Sequence, residues 1–423
     1  MKLFSSDTEL QNRLLDRFIR YVKVWTESST ENADNGIMPS TERQRPFAEA
    51  LAEELKGIGL TDVCVTPECY VYGALPASDG LDGVPPFCLL AHLDTADEVS
   101  GRDVRPIIHT GYDGTRIDLQ GGVSLDCAED SCLALAAKQR DTLITSDGTT
   151  LLGADDKAGI AEIVSALEYL SEHTQAAHGK IEVVFSPDEE TGHGMDHVPL
   201  NLISSKYAYT VDGGHLGQLE TECFNASRAA IRFTGKSAHT GDARKNGMVN
   251  AACTAARFIE SLPAAERPET TDGRAGFYAV MECRGAIESA SVTLLLRDFT
   301  EAGMNRRIET VRMLAVACAH ASGASVQVEI KEQYKNMKAA LDAAPETVSL
   351  LERACRNAGV EPEYTPIRGG TDGSKLTEMG IPTPNIFTGG HNFHSRAEWA
   401  SLQQMSAAAD VLVNLAVLAA DKK

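Results

Sequence analysis

Short apolar runs recur along the first half of the chain, and each is followed by polar residues. Phe87–Ala91, Ile181–Phe185 and Tyr207–Val211 are mostly apolar, a pattern that indicates strands buried on both faces of a largely parallel sheet. Ile160–Leu170 has the apolar spacing of an amphipathic helix, and a further strand is expected at Ile381–Thr388. We therefore predict an α/β domain in which helices flank a mostly parallel sheet.

The pattern changes between Cys223 and Tyr334, where strands and helices follow one another in the order βαββαβ. This order is that of a ferredoxin-like domain, which forms its own core. We therefore expect an inserted domain of a lid or oligomerisation type over residues 223–334, and a main domain, which carries the candidate chemistry, made of residues 1–222 and 335–423. The predicted segments of the insert are Ala229–Thr234, Met248–Leu262, Tyr278–Arg284, Ser291–Phe299, Arg306–His320 and Ser325–Lys331.

The charge balance narrows the classes of partner. The 423 residues include 39 Lys and Arg against 60 Asp and Glu, for a formal net charge of -21. Phosphate-rich surfaces require a basic footprint, so this balance argues against nucleic acid and anionic membranes as partners. The charge is better explained by solubility or by a cationic ligand, and a homodimer is one option for the assembly.

The chain shows no targeting pattern at the sequence level. Its first residues lack the apolar core of a secretory signal, and no later stretch approaches the roughly 18 apolar residues of a membrane span. The 10 cysteines are scattered without a CxxC pair, which favours reduced thiols over disulfides. We therefore expect a soluble cytoplasmic protein.

Histidine and acidic residues stand where the predicted strands end. His92 and Asp94 follow the first apolar run, Glu189 and Glu190 follow the second, and Asp212 follows the third. Because the carboxyl ends of parallel strands meet at one edge of a sheet, these side chains are expected to lie together. Each group alone has an ordinary interpretation, such as a satisfied polar pair at a strand end. Their combination predicts half or more of a metal site.

Two aspartates, Asp155 and Asp156, stand just before the amphipathic helix, and both residues suit a helix N-cap. Either could cap the helix while the other binds a metal, and the spacing alone leaves this choice open. With Asp155 as the ligand, the set contains only nitrogen and oxygen donors, which fits Zn²⁺, Co²⁺ or Mn²⁺. Its members are His92, Asp155, Glu190, Asp212 and His394.

Five ligands are too many for one catalytic zinc and suit two metal ions with Asp155 between them. A water that bridges the two ions would complete both coordination shells and attack an amide carbonyl. Glu189 would take the proton of this water and return it to the leaving amine. Asp94 would hold His92 in place by a hydrogen bond.

Several motifs resemble, in the same order, those of the dinuclear zinc peptidases that include carboxypeptidase G, and most closely the tripeptide aminopeptidases among them. The resemblance extends over nearly the whole chain. The motifs are Pro39-Ser-Thr-Glu42, His92-Leu-Asp94, Gly153-Ala-Asp-Asp-Lys-Ala-Gly159, Asp188-Glu-Glu190, Val211-Asp-Gly-Gly214, Phe224-Asn-Ala226, Leu296-Arg-Asp-Phe299, Ile367-Arg-Gly-Gly-Thr-Asp-Gly373 and Phe393-His394.

The resemblance selects Asp155 over Asp156 as the shared ligand. It implies Glu189 as the proton acceptor and Asp94 as the supporting carboxylate of the active site. It also implies two Zn²⁺ ions per subunit, with Co²⁺ or Mn²⁺ as alternatives. The implied ligands are His92, Asp155 and Asp212 at one ion, and Asp155, Glu190 and His394 at the other.

Three further residues are candidates for substrate contact. His239 and Arg297 match residues of the second domain that reach toward the substrate in relatives, and Arg297 suits a peptide carboxylate. Arg368 belongs to a Gly-rich turn whose backbone N–H groups suit an anion. His391 is not expected from the family and is a rival to His394 as a metal ligand.

The resemblance implies a metal-dependent aminopeptidase that releases the N-terminal residue from tripeptides, with small peptides as substrates. A dipeptidase, a carboxypeptidase or an N-acyl amino acid deacylase is the alternative, because fold and metal centre do not set the substrate. An alternative of another class is a non-catalytic protein that binds metal or peptide. Glu189 argues against it, because binding alone does not require a second glutamate beside Glu190.

Overall fold

The structure, a computed structural model, describes residues 1–421. Several of its helices begin at a side-chain cap, such as the Asp7 carboxylate that accepts the N–H groups of Glu9 and Leu10. In the described range the α-helices are α1 (Thr8–Val22), α2 (Thr30–Asp34), α3 (Arg45–Gly57), α4 (Ser131–Gln139), α5 (Ala154–Glu172), α6 (Ala251–Ser261), α7 (Glu301–Ser322), α8 (Lys338–Ala343), α9 (Pro345–Ala358), α10 (Asp372–Glu378) and α11 (Leu402–Ala420).

The mostly apolar runs form the central strands. In the described range the strands are β1 (Thr61–Val65), β2 (Val71–Leu75), β3 (Phe87–His92), β4 (Ile107–His109), β5 (Ile117–Asp118), β6 (Ser124–Leu125), β7 (Leu143–Thr145), β8 (Ile181–Ser186), β9 (Ala208–Gly213), β10 (Gln218–Glu220), β11 (Asn225–Thr234), β12 (Phe277–Gly285), β13 (Ser289–Asp298), β14 (Ser325–Tyr334), β15 (Glu363–Tyr364), β16 (Asn385–Phe387), β17 (Gly390–His391) and β18 (Trp399–Ser401).

The first of two compact units is built on an eight-stranded sheet of order β1-β2-β8-β3-β9-β16-β10-β15. The unit comprises Met1–Thr221, Ala340–Thr365 and the chain from Thr371 onward. The central strands β8, β3, β9 and β16 run parallel, whereas β1, β2 and β10 make antiparallel pairings toward the edges. The predicted α/β fold is confirmed, with a mixed sheet whose parallel part lies at its centre.

Helices cover the sheet of the first unit. On one face α5 packs against β3 and β9, and α1 and α11 pack against α5. The helix α11 has a mean hydropathy of 1.3 and is long and apolar enough to span a membrane. This differs from the expectation that no stretch approaches the length and hydropathy of a membrane span. However, 89% of this stretch is buried inside the protein, so α11 is a core helix.

The second unit comprises Glu222–Ala339 together with Pro366–Gly370. Its four-stranded sheet has the order β12-β13-β11-β14 and is antiparallel throughout, as a ferredoxin-like βαββαβ chain requires. Both α6 and α7 pack on this sheet and form a separate apolar core with it. The predicted ferredoxin-like insert is confirmed, and its boundaries and its role as a lid or oligomerisation domain stay predictions.

Glu182 on β8 connects this strand to the segment that leads into β9. Its side chain is fully buried and accepts the N–H groups of Ser204 at 3.0 Å and of Ser205 at 2.9 Å. Both serine hydroxyls and Lys180 also donate to it. Burial alone would raise its pKa, but Lys180 and the serines outweigh this effect and lower the pKa from 4.5 to about 2.

We predict that Glu182→Gln lowers the free energy of unfolding by about 2–3 kcal/mol at pH 7. A carboxyl whose pKa is depressed in the folded state stabilises above its unfolded pKa and loses this effect as the pH falls through the folded value. The deficit should therefore shrink between pH 4.5 and 2. Urea unfolding of the metal-free protein measures it, with exposed Glu49→Gln as the control. A deficit as large at pH 3 as at pH 7 would contradict the prediction.

Candidate metal centre

The central parallel strands deliver three of the candidate residues to one edge of the sheet. His92 ends β3 and lies opposite Ser186, the last residue of the neighbouring β8. Glu190 follows β8 in a short 3₁₀ turn, and Asp212 lies near the end of β9, the other neighbour of β3. This placement follows from the parallel register, because the strands on both sides of β3 end level with it.

Asp155 contacts two histidines with its two different carboxylate oxygens. Its Oδ1 lies 2.9 Å from Nε2 of His92, and its Oδ2 lies 3.3 Å from Nε2 of His394. Asp212 Oδ1 is 3.5 Å from the same nitrogen of His92, and Glu190 Oε2 is 2.9 Å from that of His394. The five residues thus form two groups that share Asp155.

Asp156, the alternative to Asp155, is fully buried and has a different environment. Its Oδ2 accepts the backbone N–H of His92 at 3.1 Å, whereas its Oδ1 has no hydrogen-bond partner. Burial and the nearby Asp212 raise its pKa well above the usual range. One carboxylate oxygen of Asp156 lies within 4.8 Å of a possible ligand atom of His92 and of Asp212. The possible ligand atoms of His92, Asp155 and Glu190 lie equally close to one another, so distance alone does not separate the two aspartates. The selection of Asp155 as the shared ligand stays a prediction.

Asp94 connects His92 to the segment that carries the two glutamates. It is fully buried, and its two oxygens accept the N–H of Glu189 at 3.1 Å and of Glu190 at 3.2 Å. The ring nitrogen Nδ1 of His92 lies 3.4 Å from its Oδ1 and 3.1 Å from its main-chain oxygen. Asp94 therefore fixes His92 and Glu189 relative to each other.

The buried carboxylates of the centre are costly to ionise in the absence of a cation. Burial raises the pKa of Glu190 to about 8, with Asp155 adding to the effect, and burial raises that of Asp212 to about 6. Oε1 of Glu190 is buried without a partner. Among residues 1–421, no lysine or arginine forms an ion pair with these three acids. Together with His92 and His394, these acids offer only nitrogen and oxygen donors, which fits a divalent cation that would stabilise the ionised carboxylates.

His391, the rival of His394, lies outside both groups. Its ring stacks on that of Trp399, with centroids 3.9 Å apart, and its Nε2 is buried without a partner. Burial lowers its pKa to about 4. Only His394 of the two contacts Asp155 and Glu190 among the described residues.

His239 and Arg297, two of the three candidates for substrate contact, belong to the second unit. His239 is exposed, and its Nδ1 accepts the N–H of Gly241 at 3.2 Å. Nη1 of Arg297 donates to the main-chain oxygen of Leu296 at 3.0 Å and to Gln333 Oε1 at 3.1 Å. These contacts leave further donors on Arg297, and the substrate role of both residues stays a prediction.

Arg368, the third candidate, also belongs to the second unit. Its guanidinium donates to the main-chain oxygens of Gly273 at 2.7 Å, Ala275 at 3.0 Å and Thr271 at 3.3 Å. The same group lies 5.2 Å from the ring centre of Phe224. These contacts hold the loop at residues 271–275, and an additional contact with substrate stays a prediction.

Asp188 has a role that the sequence does not reveal. It is the first acid of the triplet, yet its carboxylate accepts the N–H of Ser40 at 2.6 Å, the hydroxyl of Ser40 at 2.5 Å and the amide of Gln44 at 2.6 Å. It therefore anchors the segment before α3. Asp372 has a structural partner of this kind as well, because it accepts a hydrogen bond from the hydroxyl of Ser186. The only sequence signal for it is the Gly-rich turn in front of α10.

Comparison with known proteins places the chain in a family. Residues 147–417, more than half of the chain, match the model of peptidase family M20/M25/M40. The protein called Peptidase T of Clostridium perfringens is 43% identical over 408 residues, which are 96% of this chain and 99% of that protein.

Two solved structures share the fold over nearly the whole chain. The aminopeptidase PepT of Bacillus cereus has a TM-score of 0.76 at 23% identity, and a tripeptidase of Staphylococcus aureus has a TM-score of 0.77 at 20% identity. Each comparison covers 97% of this chain and 99% of the other. The chain therefore belongs to the M20/M25/M40 peptidase family, with proteins called Peptidase T among its relatives.

Proposed function

We propose that the centre holds two zinc ions, one on each side of Asp155. The observation that carries the proposal is that Asp155 turns one oxygen to His92, at 2.9 Å, and the other to His394, at 3.3 Å. Asp212 would complete the ligands on the His92 side, and Glu190 those on the His394 side. Cobalt and manganese accept the same donor types and are the alternatives.

The chemistry divides between the metal ions and the side chains. Divalent ions held by these residues would polarise the scissile carbonyl and lower the pKa of the attacking water. Glu189 takes the proton of the water on its carboxylate and delivers it to the leaving nitrogen. Asp94 supports this transfer, because it binds the N–H of Glu189 at 3.1 Å and lies 3.4 Å from Nδ1 of His92.

The substrate in this proposal is a tripeptide, which is cut after its N-terminal residue. Relatives called Peptidase T match over almost their whole length, and one protein of the same fold is called a tripeptidase. Arg297 would bind the peptide carboxylate, with His239 and Arg368 as further contacts. A dipeptidase, a carboxypeptidase or an N-acyl amino acid deacylase is the alternative.

We place the protein in the cytoplasm. Its 10 cysteines are free thiols, which fits a reducing compartment. A small peptide is the proposed partner, and a homodimer stays a prediction.

We predict that Glu189→Ala keeps both metal ions and lowers kcat at least about 100-fold, because the proton acceptor is lost while the ligands remain. Metal content of the purified protein and turnover of Ala-Ala-Ala measure the two effects. Near-normal turnover would overturn the proton-transfer role. Loss of metal would instead identify Glu189 as a ligand.

We predict that His394→Ala weakens binding of one of the two metal ions, because the Asp155 and Glu190 carboxylates lose their imidazole neighbour. His391→Ala is the matched control, since this histidine stacks on Trp399 and contacts neither carboxylate. Titration of the metal-free variants with Zn²⁺ gives both affinities. If only His391→Ala loses affinity, the ligand assignment is wrong.

We predict that the enzyme cleaves Ala-Ala-Ala faster than Ala-Ala, and that an acetyl group on the N-terminus of the tripeptide abolishes cleavage. An aminopeptidase requires the free amine, whereas a deacylase requires the blocked one. Mass spectrometry of the products distinguishes removal of the first residue from removal of the last. Equal cleavage of the acetylated peptide would refute the proposed specificity.

A further inference from the structure

Glu398 is a buried carboxylate that is neither one of the proposed metal ligands nor the proposed proton acceptor. It follows His394 closely in sequence, directly before β18, and it is 1% exposed. Its Oε2 accepts the N–H of Leu152 at 2.6 Å and of Gly153 at 2.8 Å, and its Oε1 accepts that of Asp155 at 3.2 Å. One side chain thus holds the backbone that carries the shared ligand.

These N–H groups need an acceptor from outside their own segment. They precede the regular turns of α5, and the backbone here is irregular: Gly153 has φ 83°, in the left-handed region, and Asp155 has ψ 104°. Buried N–H groups without a helical partner cost free energy unless another group accepts their hydrogen bonds. Glu398 meets this need with a carboxylate, which accepts more strongly than a neutral oxygen.

The position of Glu398 connects the two ligand-bearing segments. Its own loop carries His394, and its hydrogen bonds reach the loop of Asp155, which is 243 residues away in the sequence. Glu182 provides a useful comparison, because it is equally buried and also accepts backbone N–H groups. However, Glu182 lies near the start of β8, whereas the metal centre lies beyond the end of this strand.

We propose that Glu398 is a positioning residue that holds Asp155 in place relative to His394, and this inference rests on the metal binding proposed above. Glu398 acts through the backbone of Asp155 and touches no reacting atom. While that backbone is fixed, Asp155 can present one oxygen to each histidine. Residues that orient metal ligands typically change metal affinity by about 10- to 100-fold when they are replaced.

The test compares Glu398→Gln with the wild type and with Glu182→Gln. Glutamine keeps the size of the side chain but removes its charge and turns an N–H₂ donor toward backbone N–H groups. The probe is Zn²⁺ alone, competed against a chromophoric chelator in the metal-free full-length protein. We expect Glu398→Gln to bind Zn²⁺ at least about tenfold more weakly. Glu182→Gln should lose stability in urea and keep its Zn²⁺ affinity.

The outcomes separate this inference from the proposed function. If the wild type binds two Zn²⁺ ions and Glu398→Gln binds them equally well, the positioning role is overturned and the proposed function stands. If the wild type does not bind two ions, the proposed function fails. If Glu182→Gln loses as much Zn²⁺ affinity as Glu398→Gln, the loss is a consequence of lower protein stability, and the positioning role is overturned. Should Glu398→Gln not fold, Glu398→Asp replaces it, with the same criteria.

Discussion

The contact of Asp155 with both His92 and His394 brings together residues that are far apart in the sequence, and the geometry of the centre depends on it. His92 is fixed by the sheet, because it ends β3 between two parallel neighbours. His394 lies on a loop, in the left-handed region with φ 57°. Asp155 is held by backbone hydrogen bonds to Glu398. Its carboxylate is therefore placed by tertiary contacts more than by the regular turns of α5 that follow it.

The mixed sheet explains why only some strand ends carry chemistry. The parallel strands β8, β3 and β9 end at the same edge, so the residues that follow them converge. The strands β2, β10 and β15 run the other way and deliver no ligand. The topology also makes the local sequence informative, since a buried parallel strand is a mostly apolar run and a cluster of polar residues follows its end.

The parts of the structure that could be predicted from sequence are those encoded locally. The apolar run Ile181–Phe185 and the polar residues after it identify a strand and its end, and the order of elements identifies the ferredoxin-like unit. The choice between Asp155 and Asp156 is not encoded in this way. Both suit a helix N-terminus, and they differ only in distant partners: Asp155 contacts side chains of two histidines, and Asp156 accepts the backbone N–H of His92. The family resemblance was needed to choose.

The number of hydrogen-bond donors around a carboxylate distinguishes those that hold the structure together from those left available for metal binding or proton transfer. This number cannot be read from the sequence. Asp188, Glu182 and Glu398 each accept three or more hydrogen bonds and are thereby committed to holding backbone or side chains in place. Glu190, two residues after Asp188, has a buried oxygen without a partner. Since a buried carboxylate oxygen without a hydrogen-bond partner is costly, its persistence beside Asp155 is explained by a cation that compensates the charge. The acidic triplet thus combines an anchor with residues left available for metal and proton.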